Sequence, residues 1–431
     1  MNFKKLENPG FETIAVHAGH SGDKETGARG VPLHRSTAYL FNSAEHAQNL
    51  FALKEPGNIY TRMGNPTQEV LEDRMAALEG GAAALAVASG TNAIFYTMIN
   101  ICSMGDEVVS SSNLYGGTYT MFDDLLPKFG ITVRFGDTNN PESFRKLINE
   151  KTRALYIETI GNPSLDVADI EAFAKLAKEY EIPLVVDSTF TTPYLLRPIE
   201  MGAHIVIHSL TKWIGGHGTA IGGIVIDSGT FNWKNPKFKL YNEADGGYHG
   251  LRFAHDLGNL NPLAFILRMR TVPLRNLGGC ISPDNCWMFL QGLETLALRM
   301  ERHTENALAV AKFLKNHPAV SWVRYPGMEE DAAYKKASKY LPRGAGGMVV
   351  FGVKGGREAG QRFIDKLQLF SHVANVGDAK SLAIHPASTT HSQMTDEALC
   401  AGGISPEMIR LSIGIESIED IRNDLNQALK S

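Results

Sequence analysis

Pro183–Gly218 reads PLVVDSTFTTPYLLRPIEMGAHIVIHSLTKWIGGHG, with two short apolar runs, PLVVDS and HIVIHS, followed by a glycine-rich turn that carries Lys212. Short β-branched runs bounded by turn residues predict buried strands. The same pattern extends outward. ALAVAS, EVVSSS, ITVRF and RALYIET precede the stretch and GGIVID follows it. Between them lie segments with helical spacing: GTNAIFYTMINIC, TYTMFDDLLPKFG, PESFRKLINE and DIEAFAKLAKEYE. Strands alternating with amphipathic helices predict βαβ units, hence an α/β fold with a mainly parallel sheet covered on both faces.

The flanks have a different character. Residues 1–65 contain mostly loop signals (Gly19, Gly22, Gly27, Gly30, Pro32, Pro56, Gly57, Gly64) and are expected to form an arm lying on something else, such as another subunit. Residues 66–290 form the expected large domain, opened by a helix at Glu69–Leu78 that stops at Gly80-Gly81. Residues 228–281 interrupt the rhythm with Asn, Gly, Trp and Tyr, and are expected to be a long excursion outside the core. Ser282-Pro283-Asp284 predicts a helix start, and one long helix is expected to run to the residues before His317-Pro318. A smaller C-terminal α+β domain, residues 291–431, is expected to hold strands at SWVRYP, GGMVVFGV and EMIRLSIGIE.

Bulk properties exclude several classes. The 431 residues exceed what one hydrophobic core usually organises, and 43% hydrophobic with 20% charged residues is an ordinary globular balance. The net charge of -4, without a basic cluster, gives no electrostatic support for a nucleic-acid or membrane-surface partner. No apolar stretch approaches the ~20 residues needed to cross a bilayer, and Met1–Phe11 lacks an apolar signal-peptide segment. Cys102, Cys280, Cys286 and Cys400 are too scattered for a disulfide framework, so a reducing, cytoplasmic setting is expected.

The candidate chemistry sits at predicted strand ends. Lys212, at the mouth of a parallel sheet, is expected to be partly desolvated and therefore nucleophilic. Ser209 and Thr211 flank it with hydroxyls suited to phosphate oxygens. Asp187 ends PLVVDS, and a carboxylate there can keep a pyridine nitrogen protonated. Ser89, Gly90 and Thr91 lie where a strand turns into a helix, a place that favours phosphate. Tyr115 offers an aromatic face and a phenol, and Asn162 an amide for a phenolic oxygen. Together these sites supply a phosphate cradle, a ring stack, a pyridinium partner, a hydroxyl partner and a Schiff-base amine. That set fits pyridoxal 5'-phosphate. A metal hydrolase built on His204, His208 and His217 is the competing reading, but no acidic residue stands at zinc-ligand spacing beside them.

From about His17 onward the chain resembles the Cys/Met-metabolism family of pyridoxal-phosphate enzymes. The motifs are Tyr60-Thr61-Arg62-Met63-Gly64-Asn65-Pro66-Thr67, Leu114–Thr118, Val186–Thr189 and Ser209–Gly218. The resemblance implies an aspartate-aminotransferase-like fold (fold type I) and a homotetramer built from active dimers. It implies that Tyr60 and Arg62 reach the phosphate of the neighbouring subunit, and that Arg410 clamps the substrate carboxylate. It places Asn375 in the loop that completes that pocket, where many relatives have Ser. Within the family, the 228–281 insertion and NVGDAKSLAIHPASTTHSQM resemble the O-acetylhomoserine sulfhydrylases. Gly117 stands where methionine γ-lyases carry Cys. The implied reaction is γ-replacement on O-acetyl-L-homoserine by sulfide or another sulfur donor, giving homocysteine, with Lys212 and Tyr115 moving protons. Cystathionine γ-synthase and the methionine or cystathionine γ-lyases remain the alternatives.

Overall fold

A computed structural model of the chain describes residues 6–389 and 404–430. Cys400, and the part of the NVGDAKSLAIHPASTTHSQM stretch from residue 390 onward, lie outside the described residues.

The seven strands expected around Pro183–Gly218 form one sheet: β1 (Ala83–Val87), β2 (Glu107–Ser111), β3 (Thr132–Gly136), β4 (Thr152–Glu158), β5 (Leu184–Asp187), β6 (Ile205–Ser209) and β7 (Gly223–Asp227). Their order is β1-β7-β6-β5-β4-β2-β3. All pairings are parallel except those of β7, which runs antiparallel to both β1 and β6. Val185, Val186, Ile205, Val206, Ile207, Ile224, Val225 and Ile226 are fully buried, as covering helices on both faces require. Burial of each such side chain stabilises the sheet by roughly 1.5–3 kcal/mol.

Local signals explain the helices that frame the site. The Asn65 side chain accepts the Thr67 N–H, Pro66 occupies the first turn, and Gly80 closes the helix Pro66–Glu79 at φ 74°. The helix Gly90–Ile101 starts from Ser89, whose hydroxyl accepts the Asn92 N–H at 3.0 Å. It packs across β6 and β7.

A second sheet, in the order β10-β11-β12-β9-β8, contains β8 (Val320–Arg324), β9 (Met348–Val353), β10 (Ser371–His372), β11 (Leu382–Ile384) and β12 (Met408–Ser412). The helices Leu296–Lys315 and Gly356–Lys366 pack against it, and Ile418–Leu429 packs on those helices.

Two expectations need correction. The long helix after Ser282 is two helices, Pro283–Glu294 and Leu296–Lys315, broken at Thr295. The Gly292 carbonyl next to the break accepts from Arg299 Nη2 at 2.7 Å, which draws it toward a side chain. Nor is 228–281 an excursion outside the core. Trp233, Phe238, Tyr241, Phe253 and Phe265 are buried, and the Trp233 ring stacks on Tyr241 and Phe265 with centroids 4.3 and 5.3 Å apart. Its aromatic residues join the main hydrophobic core, resting on the helix Gly90–Ile101 through Asn100 Nδ2 to Phe265 O (3.0 Å) and Tyr241 Oη to Asn100 O (3.0 Å).

Candidate active site

Strand polarity gathers the predicted residues. The carboxyl ends of β1, β4, β5 and β6 and the start of antiparallel β7 open onto one cavity of about 240 Å³. Ser89, Gly90, Thr91, Tyr115, Asn162, Asp187, Ser209, Thr211, Lys212, Asn375 and Arg410 all line it. The second sheet contributes Arg410 from β12, and the loop after β10 contributes Asn375.

The Ser89–Thr91 side of the cavity is shaped by close backbone approach. Val87 and Ser209 both register with Gly223, bringing the Ser89-Gly90 turn against the Ser209 backbone. A Cβ on Gly90 would lie 2.6 Å from Ser209 Cβ, and one on Gly223 would lie 2.1 Å from Ser89 O. Glycine at both positions lets the N-terminus of the helix Gly90–Ile101 sit beside the Ser209 and Thr211 hydroxyls. Unpaired helix N–H groups next to hydroxyl donors form a cradle for a phosphate. Thr211 Oγ1 also bonds the Gly222 N–H at 3.1 Å, fixing the turn.

Lys212 projects into the cavity with no carboxylate partner among the described residues. Its Nζ donates to Asn375 Oδ1 at 2.6 Å. Burial, and then the nearby Arg410 guanidinium, hold the amine below its ordinary value, which raises the fraction available as a nucleophile or base. Arg410 donates to Asn162 Oδ1 at 3.0 Å, and burial lowers it too. At the cavity floor, burial pushes the Asp187 carboxyl up, while hydrogen bonds from Thr189 and the charge of His208 favour its ionised form. A cation placed against Asp187 would offset that burial cost.

Glu158 was not singled out as a site residue from sequence, although a carboxylate closing a buried strand was the available signal. It registers with Asp187 across β4 and β5 and lines the same cavity. Its Oε1 accepts the Tyr115 N–H at 2.7 Å, and its carboxyl also accepts the Asn162 N–H. Burial, and then the charge of Asp187, push Glu158 well above the ordinary carboxylate range. Two carboxyls this close resist ionising together, while the two N–H donors on Glu158 favour its ionised form. Tyr115 itself is 52% exposed at the rim, and its ring lies over Gly117.

Tyr60 and Arg62 do not reach this cavity in their own chain. Arg62 donates to the Arg275 carbonyl and sits 5.5 Å from the Tyr60 ring centroid, and Tyr60 is 42% exposed. The three histidines are dispersed. His204 Nδ1 accepts the Leu184 N–H at 3.0 Å, buried His208 pairs with Glu79 at 2.5 Å, and exposed His217 contacts the Gly215 carbonyl. No cluster able to hold a metal occurs among the described residues.

A phosphate cradle, a floor carboxylate and a desolvated lysine in one cavity of an α/β sheet define the class: a pyridoxal-phosphate enzyme. A family model for Cys/Met metabolism PLP-dependent enzymes matches residues 12–430, and the chain belongs to that family. It is 55% identical to an O-acetyl-L-homoserine sulfhydrylase of Leptospira meyeri, over 97% of this chain and 96% of the relative. It is 49% identical to a homocysteine synthase of Schizosaccharomyces pombe, over 99% of both. Among solved structures it resembles a putative O-acetylhomoserine (thiol)-lyase of Campylobacter jejuni that contains N'-pyridoxyl-lysine-5'-monophosphate. The TM-score is 0.94 at 42% identity, covering 98% of this chain and all of that one. The fold is therefore the fold type I architecture expected from the sequence, and the cofactor is pyridoxal phosphate.

Proposed function

We propose that the chain catalyses γ-replacement on O-acetyl-L-homoserine by sulfide, releasing L-homocysteine and acetate. The observation that carries this reading is Lys212, a desolvated amine held only by the Asn375 amide oxygen among the described residues, in a cavity also lined by Ser89, Gly90, Thr91, Ser209, Thr211 and the Arg410 guanidinium. The naming of relatives such as the sulfhydrylases of L. meyeri and Thermus thermophilus supports the substrate pair.

In this reading Ser89, Gly90, Thr91, Ser209 and Thr211 would hold the cofactor phosphate, Asp187 would partner the ring nitrogen, Asn162 the phenolic oxygen, and Tyr115 would supply an aromatic face to the ring. The bound cofactor supplies an electron sink for charge developing at the substrate Cα. Arg410 grips the α-carboxylate through its planar fork, with Asn375 beside it. Lys212 removes the Cα proton, and Lys212 or Tyr115 moves a proton at Cβ as acetate leaves Cγ. Hydrosulfide then forms the new bond at Cγ, and the protons return to Cβ and Cα. Tyr60 and Arg62 act on the phosphate of a neighbouring subunit in a homotetramer of active dimers, and the enzyme works in the cytoplasm in methionine biosynthesis.

Steady-state assays with O-acetyl-L-homoserine and either sulfide or cysteine test the reading. The sulfhydrylase assignment requires kcat/KM for sulfide to exceed that for cysteine. A preference for cysteine would make the enzyme a cystathionine γ-synthase, and turnover of methionine or cystathionine alone would make it a γ-lyase.

A further inference from the structure

The Tyr60–Gly64 turn, which carries the two residues assigned to a neighbouring phosphate, is tied to its own chain by Arg270. Arg270 Nη1 donates to Met63 O at 2.6 Å, and Nη2 donates to Glu72 Oε2, also at 2.6 Å. The turn itself is closed by Met63 N and Gly64 N, both bonded to Tyr60 O. Glu72 is only 7% exposed in its side chain. Its other oxygen accepts the Ala86 N–H and Gln68 Nε2, each at 2.8 Å. Ala86 lies in β1, shortly before the Ser89-Gly90-Thr91 cradle. One partly buried ion pair therefore joins the strand that leads to the chain's own Ser89-Gly90-Thr91 turn to the turn that presents Tyr60 and Arg62. Arg270 belongs to the 228–281 segment, and its neighbour Arg275 offers the carbonyl that Arg62 contacts. Two acceptors reached from two separate nitrogens suit the fixed fork of a guanidinium better than a single compact ammonium.

We propose that Arg270 is a positioning residue acting across the subunit boundary: with Glu72 it sets the Tyr60–Gly64 turn, so cofactor retention in one subunit depends on Arg270 of the other. This rests on the reading that Tyr60 and Arg62 complete the neighbouring site. Arg270→Met removes the clamp while keeping a long apolar stem. It weakens pyridoxal-phosphate retention, read by equilibrium dialysis, by about tenfold, the weight of one hydrogen bond to a charged group. Arg270→Lys, whose compact ammonium on a shorter stem cannot reproduce the fixed guanidinium fork, falls between Met and wild type.

Subunit mixing decides whether the effect crosses the boundary. Arg270→Met and Lys212→Ala chains are dissociated, mixed in equal amounts and reassembled, with exchange confirmed by native mass spectrometry. In a mixed dimer the Arg270→Met chain keeps its own Lys212 and receives an intact turn from its partner. Activity at limiting cofactor then rises to roughly a quarter of the wild-type level, from random pairing into two-fold dimers. Arg62→Ala mixed with Lys212→Ala is the control for the underlying reading. Recovery in the control without recovery for Arg270→Met places Arg270's effect within its own chain and overturns the proposal alone. No recovery in either mixture overturns the cross-subunit reading and the proposal with it. Wild-type cofactor retention by Arg270→Met also overturns it. Should Arg270→Met fail to fold, Glu72→Gln, which keeps the acceptor for the Ala86 N–H, replaces it in the same mixture with the same expected outcome.

Discussion

Replacing Gly117 with Ala tests how tightly the position of Tyr115 is set. A Cβ at residue 117 would lie 2.6 Å from Tyr115 Cε1, 3.1 Å from Cζ and 3.2 Å from the hydroxyl. Ordinary contact begins near 3.4 Å, so the ring must retreat by about 0.8 Å at Cε1. The ring can retreat, because Tyr115 is half exposed while its backbone N–H stays fixed on Glu158. A misplacement near 1 Å in a positioning group costs up to about 100-fold in rate. Residue 117 lies in the short helix Gly116–Thr120 with no positive φ, so Ala there is neutral for stability or adds up to ~1 kcal/mol of helix preference. The expected result is kcat/KM for O-acetyl-L-homoserine with sulfide reduced by about 10- to 100-fold, with a melting temperature unchanged or raised. A variant with wild-type kcat/KM would refute the claim that the Tyr115 ring position governs the chemistry. So would equal losses of activity and stability, which would point to a folding defect.

Two further outcomes follow from buried charges. Burial pushes Asp227 up to about 7, and its Oδ2 has no partner among the described residues. The native state therefore holds a proton that the unfolded chain releases at lower pH, so stability falls as pH rises from about 4 to about 7 and is level above that. Asp227→Asn removes a penalty of up to about 4 kcal/mol above pH ~7. Urea melts near pH 5 and pH 8 check this, and a stability difference that does not grow with pH would contradict it. Arg410→Lys loses the fork that grips a carboxylate, and KM for O-acetyl-L-homoserine should rise by on the order of tenfold or more with little change in melting temperature; an unchanged KM would take the carboxylate clamp away from Arg410.

Much of the site was legible from local pattern. PLVVDS and HIVIHS are strands because continuous β-branched runs suit a sheet buried on both faces, and parallel pairing then brings Asp187 and Lys212 to one edge. What the pattern missed depends on contacts between distant segments. Thr295 breaks a helix whose apolar spacing looks continuous, next to a Gly292 carbonyl bonded to Arg299. The aromatic residues of 228–281 looked like loop composition because their partners, Trp233, Tyr241 and Phe265, are brought together only by the fold. Glu158 was hidden for another reason. A carboxyl at a strand end signals a cap or a loop equally well, and only the fold puts the Tyr115 N–H against it.

The reaction proposed above stands on Lys212 being the amine that holds the cofactor. Borohydride reduction of the yellow holoenzyme, followed by proteolysis and peptide mass spectrometry, tests it directly. The expected result is a phosphopyridoxyl adduct on the peptide containing Lys212, absent from Lys212→Ala treated in the same way. An adduct on a different lysine, or one that persists in Lys212→Ala, would contradict it.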